Sequence, residues 1–235
     1  MKVLVINVLE RTDRLQGIEA HLNSLDIDFE IVKAVDKYEL RESENNFLPI
    51  DIERIWRSHL KCLEIASKYH NEYTMIVEDD ANLAFNSIEL ASIVSEISKI
   101  DIGFLQIGFL KLNPIDSLSI LSRNIYDSLI RKGWLEGILK RFGFLEMSRA
   151  LNQPWRKQIP DRYILNDVRY GAHCYLINSK LAQKFLMANN PPFLSIDDFF
   201  VSISRMKSFR MCRLRKSLAE QNNSPTSVSK RFLQH

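Results

Sequence analysis

The chain has 235 residues, of which 46% are hydrophobic and 26% are charged, and its formal net charge is +3. This length can bury a sizeable core, and this composition excludes a wholly disordered chain and gives no reason to expect a fibrous one. The small net charge supplies no overall field that would attract nucleic acid, so only local clusters of charge can indicate a charged partner.

The three cysteines, Cys62, Cys174 and Cys212, are odd in number and widely spaced, which fits neither a disulfide framework nor a zinc site. We therefore expect reduced thiols in a cytosolic compartment. The first residues are apolar over too short a stretch for a signal peptide, and no apolar run reaches the roughly 18 residues of a membrane span. We expect a protein that is neither exported nor membrane-spanning.

Apolar runs and helical periodicities alternate along the chain. They predict strands at 3–8, 29–35, 73–80, 103–108, 172–178 and 209–214, and helices from Thr12 as N-cap to about 25, at 51–69, at 88–100 and from Ser179 as cap to about 188. A strand–helix–strand opening places the first two strands parallel. The pattern predicts an α/β fold with a mostly parallel central sheet flanked by helices.

Residues 113–160 interrupt this alternation with a predicted insertion of helical character. Apolar side chains recur at helical spacing over 130–145, with lysines and arginines on the other faces. Such a helix can lie in a membrane interface beside anionic lipids, or it can form a lid packed on the sheet. We expect one domain over 1–220 that carries this insertion, followed by a loose polar tail over 221–235.

The most informative stretch is 73–80, an apolar run that ends in Glu78, Asp79 and Asp80. A short buried strand would deliver these carboxylates to its C-terminal edge, where an α/β sheet normally binds its ligand, and carboxylates suit a divalent cation. The alternative is that they only cap the following turn. The sequence has neither GxGxxG nor a P-loop, so a bound phosphate would need a metal ion or arginines.

A second acidic pair, Asp197 and Asp198, lies between apolar residues far along the chain. Transfer of a sugar from a nucleotide diphosphate donor needs a cation to neutralise the leaving diphosphate, a carboxylate to deprotonate the acceptor hydroxyl, and arginines to hold phosphates. The two acidic clusters and the scattered arginines could supply these parts.

Six short motifs occur in order along the chain. They are V-I-N at 5–7 followed by Arg11 and Arg14, K-A-V-D at 33–36, S-H-L at 58–60, I-V-E-D-D at 76–80, G-A-H-C-Y-L-I at 171–177 and S-I-D at 195–197. In order and spacing they resemble the glycosyltransferase family 25 enzymes of lipooligosaccharide biosynthesis, whose motifs include I-N-L, A-V-D-G, G-C-x-x-S-H-L and I-L-E-D-D. Two places depart from that pattern, because Arg54 and Ile55 stand where the family has Gly-Cys and Lys37 replaces the Gly after A-V-D.

The resemblance implies a GT-A-like domain that moves a hexose, often galactose, from a UDP-sugar with inversion at the anomeric carbon. It also implies Mn²⁺ or Mg²⁺ as cofactor and a growing cell-surface oligosaccharide or glycolipid as acceptor. Carried over by motif, Asp80 is the expected metal ligand, and Glu78 and Asp79 support it or touch the ribose. His173 is the expected second ligand, and its alternative is a buried strand histidine.

The same resemblance implies the remaining site residues. The nucleotide site would be lined by Asn7, Arg11, Arg14 and Asp36, the donor pocket would be shaped by Ser58 and His59, and the catalytic base would be Asp197, with Asp198 next. The alternatives are solvation at helix ends and loops for the first group, a core role for His59, and helix capping for Asp197 and Asp198.

The segment 205–216 contains six lysines and arginines and no acid. It is expected to hold the diphosphate or, together with 130–145, to contact an anionic membrane peripherally, the alternative being a solvated surface.

The leading hypothesis is therefore a cytoplasmic glycosyltransferase at the cytoplasmic face of the inner membrane. The departures at Arg54 and Lys37 motivate an alternative, a non-catalytic module that binds a nucleotide sugar or a partner enzyme. Nucleic-acid binding is not expected, since Phe209 is the only aromatic in the basic segment.

Overall fold

A computed structural model describes residues 1–40, 48–70, 72–110, 159–188, 194–206 and 209–222. The predicted insertion at 113–160, apart from its last two residues, lies outside the described residues, as does the tail from 223 onward. The account below concerns the compact unit formed by 1–110 and 161–235.

The described elements follow one another in the order that the apolar runs predict, with three short strands and the helix α5 (Ile196–Ser204) in addition. They are β1 Lys2–Asn7, α1 Thr12–Ser24, β2 Glu30–Lys33, α2 Ile50–Lys68, β3 Tyr73–Glu78, β4 Ala81–Leu83, α3 Ser87–Lys99, β5 Phe104–Gly108, β6 Tyr163–Leu165, β7 Cys174–Asn178, α4 Ser179–Ala188, α5 Ile196–Ser204, β8 Met211–Leu214 and β9 Ala219–Gln221. The strands β4, β6 and β9 were not predicted, because three residues are too few to show an alternating pattern.

The sheet has the order β2-β1-β3-β7-β5-β8-β6, and β9 joins it by pairing with both β4 and β5. β1 is parallel to β2 and β3, as the opening predicts, and β8 is parallel to β5. β7 runs antiparallel to β3 and β5, so the sheet is mixed and not mostly parallel. A long connection separates β5 from β7 in the sequence, and such a connection is compatible with either strand direction. The sequence pattern therefore could not predict that β7 is antiparallel. The predicted α/β class, a central sheet flanked by helices, is confirmed.

An aromatic cluster joins α2, α4 and α5 to one face of the sheet. Its members are Trp56, Phe104, Tyr175, Phe185, Phe199 and Phe200. The ring centroids of Trp56 and Phe199 are 5.1 Å apart, and Phe200 lies 4.8 Å from Phe104 and 5.0 Å from Tyr175. These separations are in the favourable range for aromatic pairs. The cluster therefore fixes α5, which carries the second acidic pair, against β7 and α2.

Two predicted helix caps are wrong by one residue. Thr12 is the first residue of α1, whose N-cap Arg11 makes no side-chain capping bond. Ser179 is the first residue of α4, and the side chain of Asn178 accepts the hydrogen bond from the Leu181 amide at 2.9 Å. An asparagine carboxamide caps a helix as well as a serine hydroxyl does, so the two neighbours could not be told apart by type.

The three cysteines are buried free thiols, and burial raises the pKa of each well above its ordinary value. Within the described ranges, no helix has both the length and the apolar character needed to cross a bilayer.

Candidate functional site

The acidic triplet lies where β3 ends beside the end of β1, with Glu78 opposite Ile6. Successive side chains of a strand point to opposite faces of the sheet. Accordingly, Glu78 contacts His59 of α2 on one face, whereas Asp79 contacts Asn7 and Arg14 on the other. Glu78 and Asp79 therefore lie in different environments on opposite faces of the sheet.

Asp79 is held by the end of β1 and by α1. Its Oδ2 accepts hydrogen bonds from Asn7 Nδ2 at 2.8 Å and from the Val8 amide at 3.4 Å, and its Oδ1 accepts one from Arg14 Nη1 at 3.3 Å. Burial raises the pKa of Asp79, although Arg14 and Asn7 act to lower it. Both oxygens are thus engaged within the protein, and Asp79 ties the start of α1 to β3.

Asp80 is satisfied on one oxygen only. Arg14 Nη1 donates to Asp80 Oδ2 at 3.1 Å, whereas Asp80 Oδ1 is buried and has no hydrogen-bond partner in the described part of the chain. Burial, and next the charge of Glu78, raise the pKa of Asp80 to about 6. A cation at the free oxygen would relieve both effects, and Mn²⁺ and Mg²⁺ favour carboxylate ligands. Asp80 therefore fits the predicted metal role.

Glu78 is held at both of its oxygens. His59 Nε2 lies 3.3 Å from Oε1, and Gln221 Nε2 donates to Oε2 at 3.1 Å. Burial acts to raise the pKa of Glu78, but the hydrogen bond and charge of His59 are the first of several contributions that together outweigh burial, so the pKa is lowered. On the other side of the ring, His59 Nδ1 lies 3.0 Å from the hydroxyl of Tyr175. Glu78 is thus a fixed, ionised carboxylate at the centre of the edge.

The two members of the second acidic pair have different surroundings, and only Asp198 takes part in the cap of α5. Ser195 is the N-cap of α5, and its Oγ accepts from the Asp198 amide at 3.1 Å while donating to Asp198 Oδ2 at 2.6 Å. Tyr170 donates to the other oxygen of Asp198 at 3.1 Å. Asp198 therefore belongs to the cap, in line with its structural alternative.

Asp197 lies nearer the centre of the edge. Its Oδ1 accepts a hydrogen bond from the Gly171 amide at 3.1 Å. Burial, and next the charge of Glu78, raise the pKa of Asp197 to about 6. Gly171 lies just before β7, whose first residue pairs with Val77 of β3. The Glu78 amide also donates to the His173 carbonyl at 2.9 Å. The contact with Gly171 therefore places Asp197 at the edge where the acidic triplet lies.

His173 is packed in a slot made by two glycines. A Cβ atom at Gly108 would lie 2.4 Å from His173 Nε2, and one at Gly171, whose φ is +105°, would lie 3.0 Å from Nδ1. His173 Nε2 is 3.1 Å from the Ala219 carbonyl oxygen, and burial lowers the pKa of the imidazole. His173 Nδ1, by contrast, is buried and has no hydrogen-bond partner among the described residues, so this nitrogen is the one that could serve the predicted ligand role. Across the described ranges, no group of three or more His, Cys, Asp or Glu side chains is placed to hold a metal ion.

The remaining predicted residues lie around β2 and the start of α1. Arg11 pairs with Asp13 at 3.1 Å. Asp36 accepts from the backbone amides of Tyr38 and Glu39 at 2.7 and 3.1 Å. Ser58 accepts from the Val35 amide at 2.9 Å. Asp36 and Ser58 therefore brace the loop after β2, and within the described ranges no hydrogen bond or ion pair joins either side chain to the acidic triplet.

The two departures from the family pattern have local contacts. Arg54 donates to the Leu40 carbonyl through Nε at 3.0 Å and Nη2 at 2.6 Å, and Lys37 lies over the ring of Tyr38 at 5.0 Å. Neither contact involves the acidic edge.

Sequence reasoning missed Tyr175 and Gln221, which contact His59 and Glu78. Tyr175 lies within one of the six motifs, at a strand position that alternation places on the same face as His173 and Glu78, so its role could have been inferred. Gln221 carries no such signal, since it ends a three-residue strand 143 positions from Glu78.

A family model described as glycosyltransferase family 25 (LPS biosynthesis protein) matches residues 1–200. Among solved structures, the chain is similar to an active-site mutant of LgtC, with 8% identity, coverage of 99% of this chain and 94% of that chain, and a TM-score of 0.42. It is also similar to the galactosyltransferase LgtC in complex with donor and acceptor sugar analogues, with 9% identity, the same coverages and a TM-score of 0.41. No curated protein matches the sequence. The family match covers most of the chain, which therefore belongs to glycosyltransferase family 25 and is a glycosyltransferase.

Proposed function

We propose that this enzyme moves a hexose, with galactose the first candidate, from a UDP-sugar to a lipooligosaccharide or another cell-surface glycan, in a metal-dependent reaction that inverts the anomeric carbon. The observation that carries the proposal is that two carboxylates with unusual surroundings, Asp80 and Asp197, lie where β3 ends beside the start of β7. Asp80 has a buried oxygen without a hydrogen-bond partner in the described residues, and Asp197 has a pKa raised to about 6. The charge of Glu78 acts on both of them.

The donor side of the proposed site is Asp80 and Arg14. Bound Mn²⁺ or Mg²⁺ would neutralise the diphosphate of the leaving UDP. Asp80 Oδ1 would hold the cation, and Arg14, whose Nε is buried without a partner in the described residues, could donate to a phosphate oxygen. Asp79, which accepts a hydrogen bond from Asn7, keeps Arg14 in place, while Arg11, Asp36, Ser58 and His59 would shape the outer walls around the nucleotide. His173 is the proposed second ligand through Nδ1, which is buried without a hydrogen-bond partner in the described residues, while its Nε2 lies 3.1 Å from the Ala219 carbonyl oxygen.

The acceptor side is Asp197. Its carboxylate takes the proton from the acceptor hydroxyl as that oxygen attacks the anomeric carbon from the side opposite UDP. The bond from the anomeric carbon to the diphosphate oxygen breaks, and UDP leaves with the electron pair. A base is most effective when its pKa lies near the working pH, which favours Asp197 with its raised pKa over the capping residue Asp198.

We further propose that the enzyme works in the cytoplasm and contacts the cytoplasmic face of the inner membrane through 205–216. Within this segment Arg213 is buried against Asp167 and Arg210 pairs with Asp101, so the contact would depend on Arg205, Arg215 and Lys216. Co-sedimentation with vesicles containing anionic lipid should be lost in the triple Ala variant of these residues. Equal binding to neutral and anionic vesicles would contradict the proposal.

The proposed reaction is tested by measuring UDP release from UDP-galactose with Mn²⁺ and a truncated lipooligosaccharide acceptor, with NMR assignment of the new linkage. The α-linked donor should give a β-linked product. An α-linked product would contradict inversion, and absence of turnover with every UDP-hexose would contradict the donor assignment. The departures that motivated the non-catalytic alternative lie away from the acidic edge, because in the described residues Arg54 contacts Leu40 and Asp51 and Lys37 contacts Tyr38.

A further inference from the structure

The C-terminal strand β9 completes the acidic edge. Gln221 is paired with Ala81 of β4, and Ala219 with Gly108 of β5. The next residue, Asn222, donates its amide to the Asp80 carbonyl oxygen at 2.8 Å. β9 follows residues 1–200, which the family model matches.

The side chain of Gln221 contacts the central carboxylate of the edge. Its Nε2 donates to Glu78 Oε2 at 3.1 Å, while His59 Nε2 lies 3.3 Å from Oε1. Donors on both oxygens fix the plane of a carboxylate, and a hydrogen bond to an ionised carboxylate is stronger than one between neutral groups. The backbone of Gln221 pairs with Ala81, the neighbour of Asp80, and the following amide donates to the Asp80 carbonyl oxygen at 2.8 Å. Gln221 therefore contacts Glu78 through its side chain from a backbone position beside Asp80.

We propose that Gln221 is a positioning residue for donor binding, which holds the Glu78 carboxylate in a fixed orientation beside Asp80. This inference rests on the proposed function, in which Asp80 and the cation receive the diphosphate. The backbone contacts of β9 point to the donor side, because Ala81 and Asn222 flank Asp80. Asp197 is supported by a different segment, through the Gly171 amide.

Loss of the Gln221 amide should weaken donor binding and leave the acceptor side unchanged. Without this donor the Glu78 carboxylate is held at one oxygen only and can rotate about its terminal bond. Its charge is then no longer fixed relative to Asp80, and the site is less well prepared for the cation and the diphosphate. A lost hydrogen bond to a charged group corresponds to about a tenfold weaker Kd.

The test compares Gln221→Met with Gln183→Met in the full chain. Methionine has a similar length and no branch, so it keeps the packing and the backbone pairing of β9 while removing the amide. Gln183 is a matched control because its amide donates to the Ser67 carbonyl at 3.1 Å on an exposed part of α4. Titration calorimetry with UDP in the presence of MnCl₂ gives both Kd and the fraction of protein that binds. A folding defect lowers the binding fraction without changing Kd, so it is separated from a positioning effect.

The expected result is about a tenfold rise in the UDP Kd for Gln221→Met, a wild-type Kd for Gln183→Met, and an unchanged acceptor KM for both. A wild-type UDP Kd in Gln221→Met, while wild-type protein binds UDP, would overturn the positioning role alone. If the wild-type protein bound no UDP with Mn²⁺, the proposed function would fail and this inference would fail with it.

Discussion

Arg14 Nη1 lies 3.1 Å from Oδ2 of Asp80, whereas Oδ1 of the same carboxylate is buried and has no hydrogen-bond partner within the described residues. A buried charge that is only partly compensated costs free energy of folding, and such costs persist mainly at functional sites. The Arg14 guanidinium therefore compensates one oxygen of the Asp80 carboxylate, and the other oxygen is open to a metal cation. The proposed donor site depends on this asymmetry.

Asp80→Asn should stabilise the metal-free protein while abolishing transfer. The folded-state pKa of about 6 lies above the ordinary value of 3.8, so the stability that Asp80 contributes when protonated is lost as the pH rises through that range. At pH 7.5 its ionised form should cost on the order of 1–3 kcal/mol, and the neutral amide avoids this cost.

Urea unfolding in EDTA at pH 7.5 and pH 5 measures this effect. The advantage of Asp80→Asn should be smaller at pH 5, and the exposed control Asp28→Asn should show no such advantage. A variant less stable than wild type at pH 7.5, or one with full transferase activity, would argue against the assignment of Asp80.

Asp197→Asn should lower kcat by about 10²–10⁴, since it removes the proposed general base, and should leave the UDP Kd unchanged. Asp198→Asn is the matched control, because Asp198 takes part in the Ser195 cap. It should lower the free energy of unfolding by about 1 kcal/mol and kcat by less than tenfold. Steady-state kinetics of both variants separate the roles, and a larger kcat loss in Asp198→Asn would reverse them.

The rate should depend on pH through the protonation of Asp197. Its pKa is raised to about 6, first by burial and next by the charge of Glu78. Because only the ionised carboxylate can accept a proton, kcat should fall as the pH is lowered through about 6 and should be level above pH 7. The profile is measured between pH 5 and pH 8 with saturating donor and acceptor. A rate that stays constant down to pH 5 is incompatible with this base.

Tyr175→Phe should disturb the site through His59. The variant removes the hydroxyl that lies 3.0 Å from His59 Nδ1 and leaves that buried nitrogen without its partner, at a cost of about 1–3 kcal/mol of stability. His59 then holds Glu78 less firmly, so the UDP Kd should also rise several-fold. Tyr69→Phe is the control, because its hydroxyl contacts Lys2 at 2.6 Å, and not the acidic edge. Unchanged stability and UDP binding in Tyr175→Phe would show that the hydroxyl does not support the site.

The position of the acidic triplet was predictable because an apolar run followed by carboxylates places them at the end of a buried strand. The separation of Glu78 from Asp79 also follows from alternation along the strand. The antiparallel direction of β7 was not predictable, since it depends on how a long connection returns to the sheet. Gln221 was predicted to begin a loose tail, yet it ends β9 and contacts Glu78. A single hydrogen bond across 143 positions leaves no local pattern in the sequence.

The central claim, a UDP-sugar bound through a cation at Asp80, is tested most directly by a thermal-shift panel of UDP-, GDP- and CMP-sugars with Mn²⁺ or with EDTA. A ligand at about 100 times its Kd stabilises the folded state by about 2.7 kcal/mol, which is readily measured as a rise in Tm. We expect the Tm to rise only with UDP-sugars, only with Mn²⁺, and not in Asp80→Asn. A rise that persists in EDTA or in Asp80→Asn, or no rise with any UDP-sugar, would contradict the claim.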